Sequence, residues 1–190
     1  MSIIVVVKKR GQAAIAADTL QSDDSLLLRA QHVVNHEKII SFRDNYLGLA
    51  GWAAAQDIME SLIRNHAEQL DFTDRGKIFE TMRRLHSIIK TDYHIDTSEE
   101  KDQPVESSQL AMLVANPQGI FEIDSYRTVS EYERFFALGS GRTLAIGAMQ
   151  ALYDRLDSAE EIAIAGIGAA CEFDDGCGLP ATSYTVELRR

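Results

Sequence analysis

The chain has 190 residues, 45% hydrophobic and 25% charged, which is enough apolar material for one domain with a two- or three-layer core. A net charge of −10 and a pI near 4.9 argue against nucleic acid or an anionic membrane as the main partner. No apolar stretch approaches the roughly eighteen residues of a membrane span, and the first one is soon interrupted by Lys8, Lys9 and Arg10, so no secretion signal is read and a cytoplasmic location is expected.

Ile3 to Val7 is a continuous β-branched run, Lys8 to Gln12 a polar turn and Ala13 to Ala17 a second small apolar run; together they read as a buried β-hairpin. Ser2 stands at the mouth of the first strand and Asp18 closes the second, so antiparallel pairing makes them near neighbours. Gln21 to Ala30 reads as a polar loop anchored only by Leu26, Leu27 and Leu28. His36 to Phe42 and Tyr46 to Gly51 form a second hairpin about Arg43 to Asn45, with Lys38 near its start. Lysine is commonly a solvated strand-edge charge, yet Ile39 and Ile40 beside it suggest a partly buried one that needs a carboxylate partner.

After Gly51 the hydrophobic period becomes helical. Ile58, Met59, Leu62, Ile63 and Leu70 mark a helix over Ala53 to Leu70, and Ile78, Met82, Leu85 and Ile89 mark a second from Thr73, joined by Asp71 and Phe72 as a helical hairpin. Thr91 to Ser108 carries three glutamates, three aspartates and few anchors, and reads as an exposed acidic insertion. Strands resume at Leu110 to Ala115, Ile120 to Asp124 and Phe135 to Leu138.

Gly139-Ser140-Gly141 begins like a dinucleotide fingerprint, but Leu144 stands where the third glycine belongs and no β-α-β pattern surrounds it. A tight turn in which Ser140 caps the helix of Leu144, Ala148, Met149 and Leu152 accounts for it better. Ser158 to Glu161 opens the last helix as a capping box, and Ser183 to Leu188 alternates like a closing strand. The two cysteines, Cys171 and Cys177, have no matching His cluster and read as buried or semi-buried thiols rather than zinc ligands; were the chemistry not at Ser2, an exposed Cys177 would be the first alternative nucleophile.

Once Met1 is removed, Ser2 carries both a hydroxyl and an α-amine, whose ordinary pKa of about 7.7–8.0 lets it act as a base near neutrality. Taken alone, Ser2 is an unremarkable second residue; its context decides. In order along the chain stand S-I-I-V (Ser2 to Val5), A-I-A-A-D (Ala14 to Asp18), E-K-I (Glu37 to Ile39), L-A-G-W-A (Leu49 to Ala53) and L-G-S-G (Leu138 to Gly141). This set resembles the proteasome β-subunit family and, within it, the HslV-type peptidases, over nearly the whole chain.

The resemblance implies an α+β fold, a four-layer αββα sandwich of antiparallel sheets in a single domain, and an N-terminal-nucleophile peptidase working inside a homo-oligomeric ring. It implies Ser2 as nucleophile and base, Lys38 as the positive charge beside the hydroxyl and Asp18 as its partner. Ser140 would hydrogen-bond near the amine, and the Gly51 N–H would form the oxyanion hole. No cofactor is needed, although Gly168, Cys171 and Asp174 match the spacing whose backbone carbonyls bind a Na⁺ or Mg²⁺ ion in HslV; a helix end running into a loop explains them equally well. Unfolded protein is the implied substrate and an ATP-dependent unfoldase the implied partner. Departures are Ser for Thr at the nucleophile, a longer link before Lys38, the acidic insertion and the Asp174-Asp175 pair. A catalytically silent structural subunit and a non-peptidase amidase remain the alternatives.

Overall fold

The computed structural model describes residues 2–23, 25–98 and 103–189; Met1 and the acidic residues Glu99, Glu100 and Asp102 lie outside the described residues. The chain opens with β1 (Ile3–Lys9) and β2 (Gln12–Asp18), then β3 (Gln21–Asp23), β4 (Leu26–Leu28), β5 (Ile39–Phe42) and β6 (Asn45–Ala50). Helices α1 (Ala54–His66) and α2 (Arg75–Asp92) follow, then β7 (Ala111–Asn116), β8 (Gly119–Ile123), β9 (Val129–Tyr132) and β10 (Phe135–Gly139). Helices α3 (Arg142–Leu152) and α4 (Ala159–Phe173) and strand β11 (Ala181–Glu187) complete it.

Two antiparallel sheets, β10-β1-β2-β11 and β5-β6-β7-β8-β9, pack face to face. The uninterrupted apolar run of β1 has a simple cause: both faces of the strand are covered. Ile3, Val5 and Val7 pack with α3 and α4, while Ile4 and Val6 pack with Ile39, Leu113 and Ile120 of the opposite sheet. With side chains alternating between faces, a strand in the middle of four layers has no polar side to show. Each such fully buried Val or Ile is worth about 1.5–3 kcal/mol. On the far side, α1 and α2 bury Met59, Leu62, Ile78, Met82 and Leu85 against the second sheet. The fold is the expected αββα sandwich.

Several details differ from the sequence expectation. Gln21 to Ala30 is not all loop, since β3 and β4 pair as a short hairpin that leaves Leu26 and Leu27 exposed. Strand β9 is an additional edge strand, paired through Ile123↔Val129 and Ile120↔Tyr132. Helix α1 ends at His66 in a short 3₁₀ turn, Ala67–Gln69, and α2 is capped by Asp74, whose Oδ1 accepts the Lys77 N–H. The acidic segment is only partly exposed: Thr97, Ser107 and Ser108 are buried, and Glu106 bonds back to His86 and Lys90 of α2.

Candidate active site

Strands β1 and β2 join through a two-residue turn, Arg10 and Gly11, both at positive φ (48° and 82°) as a type I′ hairpin requires. That turn sets a register in which Ile4 faces Ala17, leaving Asp18 at the open end of the hairpin beside Ser2 and Ile3. Asp18 is fully buried, and its carboxylate is saturated. Oδ1 accepts the Ile3 N–H (2.9 Å) and the Lys38 ammonium (2.7 Å), while Oδ2 accepts the N–H groups of Leu20 (3.2 Å) and Gly178 (3.1 Å). Four donors match the four acceptor sites of a carboxylate, the condition under which a buried charge is tolerated. Lys38 is itself buried, so the expectation of a partly buried lysine paired with Asp18 describes the structure and the surface alternative does not.

Gly139, at the end of β10, pairs with Ile3, and the next residue continues the contact: the Ser140 N–H donates to the Ser2 carbonyl (3.0 Å). Only glycine fits at 139. Its φ is +116°, and a Cβ there would lie 2.0 Å from the Ser2 carbonyl oxygen. Ser140 does not cap α3; Gly141 takes the N-cap position and makes no side-chain bond. The Ser140 hydroxyl instead donates to Asp174 Oδ1 (2.9 Å), 34 residues away, and lies 3.5 Å from the Ser2 carbonyl. Its local capping option loses to a charge-assisted bond that only the folded chain offers.

Gly51 follows β6 at φ +134° and lines a cleft of about 390 Å³ together with Ser2, Lys38, Leu20, Leu49 and Trp52. The Trp52 indole, 40% exposed, stands at this cleft with its Nε1–H on the Gln109 carbonyl (2.7 Å). Ser2, Asp18, Lys38, Gly51 and Ser140, scattered over 139 positions of sequence, thus converge on one end of the sandwich.

Gly168 and Cys171 lie within α4, and Asp174 is its C-cap. The Asp174 carbonyl accepts the Cys177 N–H (3.1 Å), and its side chain accepts from Ser140 and from the Gly176 N–H (2.9 Å). The carbonyl of Gly168, in the helix interior, belongs to the helical ladder. The Asp174 side chain, bonded to the Ser140 hydroxyl and the Gly176 N–H, is part of the network behind Ser2, a role the sequence signalled only by an aspartate where the resembled pattern is neutral.

Cys177 is buried and not exposed, which corrects its standing as an alternative nucleophile. Burial, with the Asp18 charge and a bond to Asp174 adding to it, pushes its thiol up to about 12, and burial likewise pushes Cys171 up to about 11. Such thiols carry almost no thiolate near neutrality.

A model of the proteasome subunit family matches residues 2–177, and the chain belongs to that family. Among solved structures, BPH of Thiobacillus denitrificans is similar at 38% identity and a TM-score of 0.91, with 98% of each chain covered. The same protein in complex with epoxomicin superposes with a TM-score of 0.92 over 99% of this chain and all of that one (100%). Eukaryotic HslV from Trypanosoma brucei, 21% identical, shares the fold with a TM-score of 0.67 over 97% of this chain and 99% of its own. A comparison with curated proteins returned no match.

Proposed function

We propose that this chain is a peptide hydrolase whose nucleophile is the hydroxyl of Ser2, made N-terminal by removal of Met1. One observation carries the reading: a single buried carboxylate, Asp18, binds both the Ile3 N–H next to Ser2 and the ammonium of Lys38. A scaffold has no need of a buried cation at that point, since a well-packed apolar pair is commonly as stable as a buried ion pair or more so. The epoxomicin complex of the 38%-identical relative supports a peptidase-type site in this family.

In the proposed reaction the Ser2 amine takes the hydroxyl proton as Oγ attacks the scissile carbonyl. The Lys38 charge favours the developing alkoxide, and the Gly51 N–H receives the carbonyl oxygen as it becomes an oxyanion. The C–N bond then breaks, the leaving amine takes the proton, and water hydrolyses the Ser2 ester with the same amine as base. Assembly into a homo-oligomeric ring in the cytosol fits the family. The exposed Leu26, Leu27, Phe173 and Leu179 are apolar surface that such contacts would cover. An ATP-dependent unfoldase is the kind of partner that would feed unfolded protein to such a chamber.

The test is Ser2→Ala, which keeps a small N-terminal residue and removes only the hydroxyl. Intact mass of the parent should show Met1 gone and, after epoxomicin, one covalent adduct; turnover of fluorogenic peptides should accompany it. Ser2→Ala should assemble like the parent and lose adduct and turnover by several orders of magnitude. A parent that retains Met1, or that neither labels nor cleaves across a broad peptide set, overturns the reading in favour of a silent subunit.

A further inference from the structure

Glu37 precedes Lys38 in the irregular segment that leads into β5, and it is held on three sides. Its Oε1 accepts the Thr182 hydroxyl (2.8 Å) and the Ile39 N–H (3.1 Å), and its Oε2 accepts the Tyr184 hydroxyl (3.3 Å). Its backbone carbonyl accepts the Gln56 side-chain amide of α1 (2.8 Å). Thr182 and Tyr184 are alternate residues of β11, so they share one face of that strand, and the Tyr184 ring stacks on Tyr46 of the second sheet with centroids 4.8 Å apart. Thr182 pairs with Ala17, one register step from Asp18. Glu37 therefore ties the first sheet, the second sheet and α1 together at the position next to Lys38.

Lysine has a long, freely rotating side chain, and its ammonium meets Asp18 only if the backbone that carries it is held. The strand ladder reaches that backbone only at its end: β5 begins at Ile39, and the Lys38 carbonyl accepts the Leu49 N–H of β6 at 3.3 Å, a long bond. Burial and the Glu37 charge raise the Tyr184 phenol above its ordinary value, which keeps it a hydrogen-bond donor. We infer that Glu37 is a positioning residue: its carboxylate clamps the segment before β5 between the two sheets, and so sets the Lys38 ammonium on Asp18 beside Ser2. The inference rests on the hydrolase reading for its catalytic consequence, and on the contacts alone for its structural one.

The experiment uses the full chain and the variants Glu37→Ala, Glu37→Gln and Thr182→Val. With a fluorogenic peptide, Glu37→Ala should lose kcat/KM by roughly ten- to hundredfold, as expected for a displaced catalytic group, and the loss should fall on kcat with KM nearly unchanged. Glu37→Gln, which keeps an acceptor oxygen, should recover most of the loss, and Thr182→Val should show part of it. Parental kcat in Glu37→Ala, or a loss confined to KM, overturns the proposal. A second readout does not need activity: in the cycle of Glu37→Ala with Lys38→Met, the two Tm losses should be less than additive, because both act on one contact. Full additivity overturns the proposal. An inactive parent sinks the hydrolase reading while the melting cycle still decides the role of Glu37. Should Glu37→Ala fail to fold, Glu37→Gln and Thr182→Val pass through the same cycle with Lys38→Met.

Discussion

Lys38 donates to Asp18 Oδ1 over 2.7 Å, at a point where the Asp18 side chain has no exposed surface and Lys38 keeps only 10% of its own. Lys38→Ala removes the cation and leaves that carboxylate buried beside three N–H donors. A buried ion pair broken on one side is expected to cost about 3–5 kcal/mol, read as a lower midpoint in denaturant titration, along with peptide turnover. A variant that melts with the parent and keeps full turnover would make the pair dispensable.

Gly139 and Gly147 form a matched pair of glycines. Gly139→Ala should destabilise by upwards of about 1 kcal/mol and abolish epoxomicin labelling, because φ +116° strains any L-residue and the new Cβ meets the Ser2 carbonyl. Gly147, inside α3 with nothing within 4 Å of its would-be Cβ, should accept Ala with a gain of up to about 1 kcal/mol and unchanged labelling. Thermal melts of the two variants and intact mass after labelling compare them directly; equal effects at both sites would contradict the close approach of β10 to Ser2.

The thiols should be silent in the native chain. With Cys177 raised to about 12 and Cys171 to about 11, roughly a thousandth or less of either is thiolate at pH 8. Iodoacetamide at that pH should modify neither residue until denaturant is added, and pretreatment with it should leave epoxomicin labelling intact. Alkylation of native Cys177 would show that the segment from Asp174 to Gly178 opens readily.

Acid should release the segment before β7 ahead of the rest. The bonds from Lys90 and His86 hold Glu106 down at about 2, against an ordinary 4.5. A carboxylate depressed in the folded state stabilises fully above its unfolded pKa, and that contribution is lost as pH falls from about 4.5 through about 2. Glu106 and Lys90 are about half exposed, so solvent screening keeps the effect small and local. Hydrogen exchange should report loss of protection at Ser107, whose N–H donates to the Thr97 carbonyl, while β1 and β2 stay protected. Simultaneous loss in both regions would argue that Glu106 is no local clasp.

The sequence by itself determined the layered fold, through the order of its elements and the resemblance of its motifs, and that resemblance supplied most of the candidate site. A β-branched run with no polar alternation, Ile3 to Val7, is what a strand covered on both faces demands; the helical stripes of α1 and α2 announce one outer layer, and the capping box at Ser158 marks a helix of the other. Ser2, Asp18 and Lys38 stood out because a hairpin returns its ends to one place and because a lysine flanked by isoleucines needs an acid. The β3–β4 hairpin and β9 were not legible, since strands of three or four residues are too short to show a hydrophobic period. Only the tertiary structure decided where the polar side chains of the site went. Locally, Ser140 reads as a helix cap, Asp174 as the acid of a helix end running into a loop, and Glu37 as one residue of the strand His36 to Phe42. Folding supplies partners from 34 to 147 residues away, in Asp174 for Ser140 and in Thr182 and Tyr184 for Glu37. A bond to a carboxylate is stronger than the neutral local one it replaces, and no spacing rule along the chain encodes which distant element will deliver it.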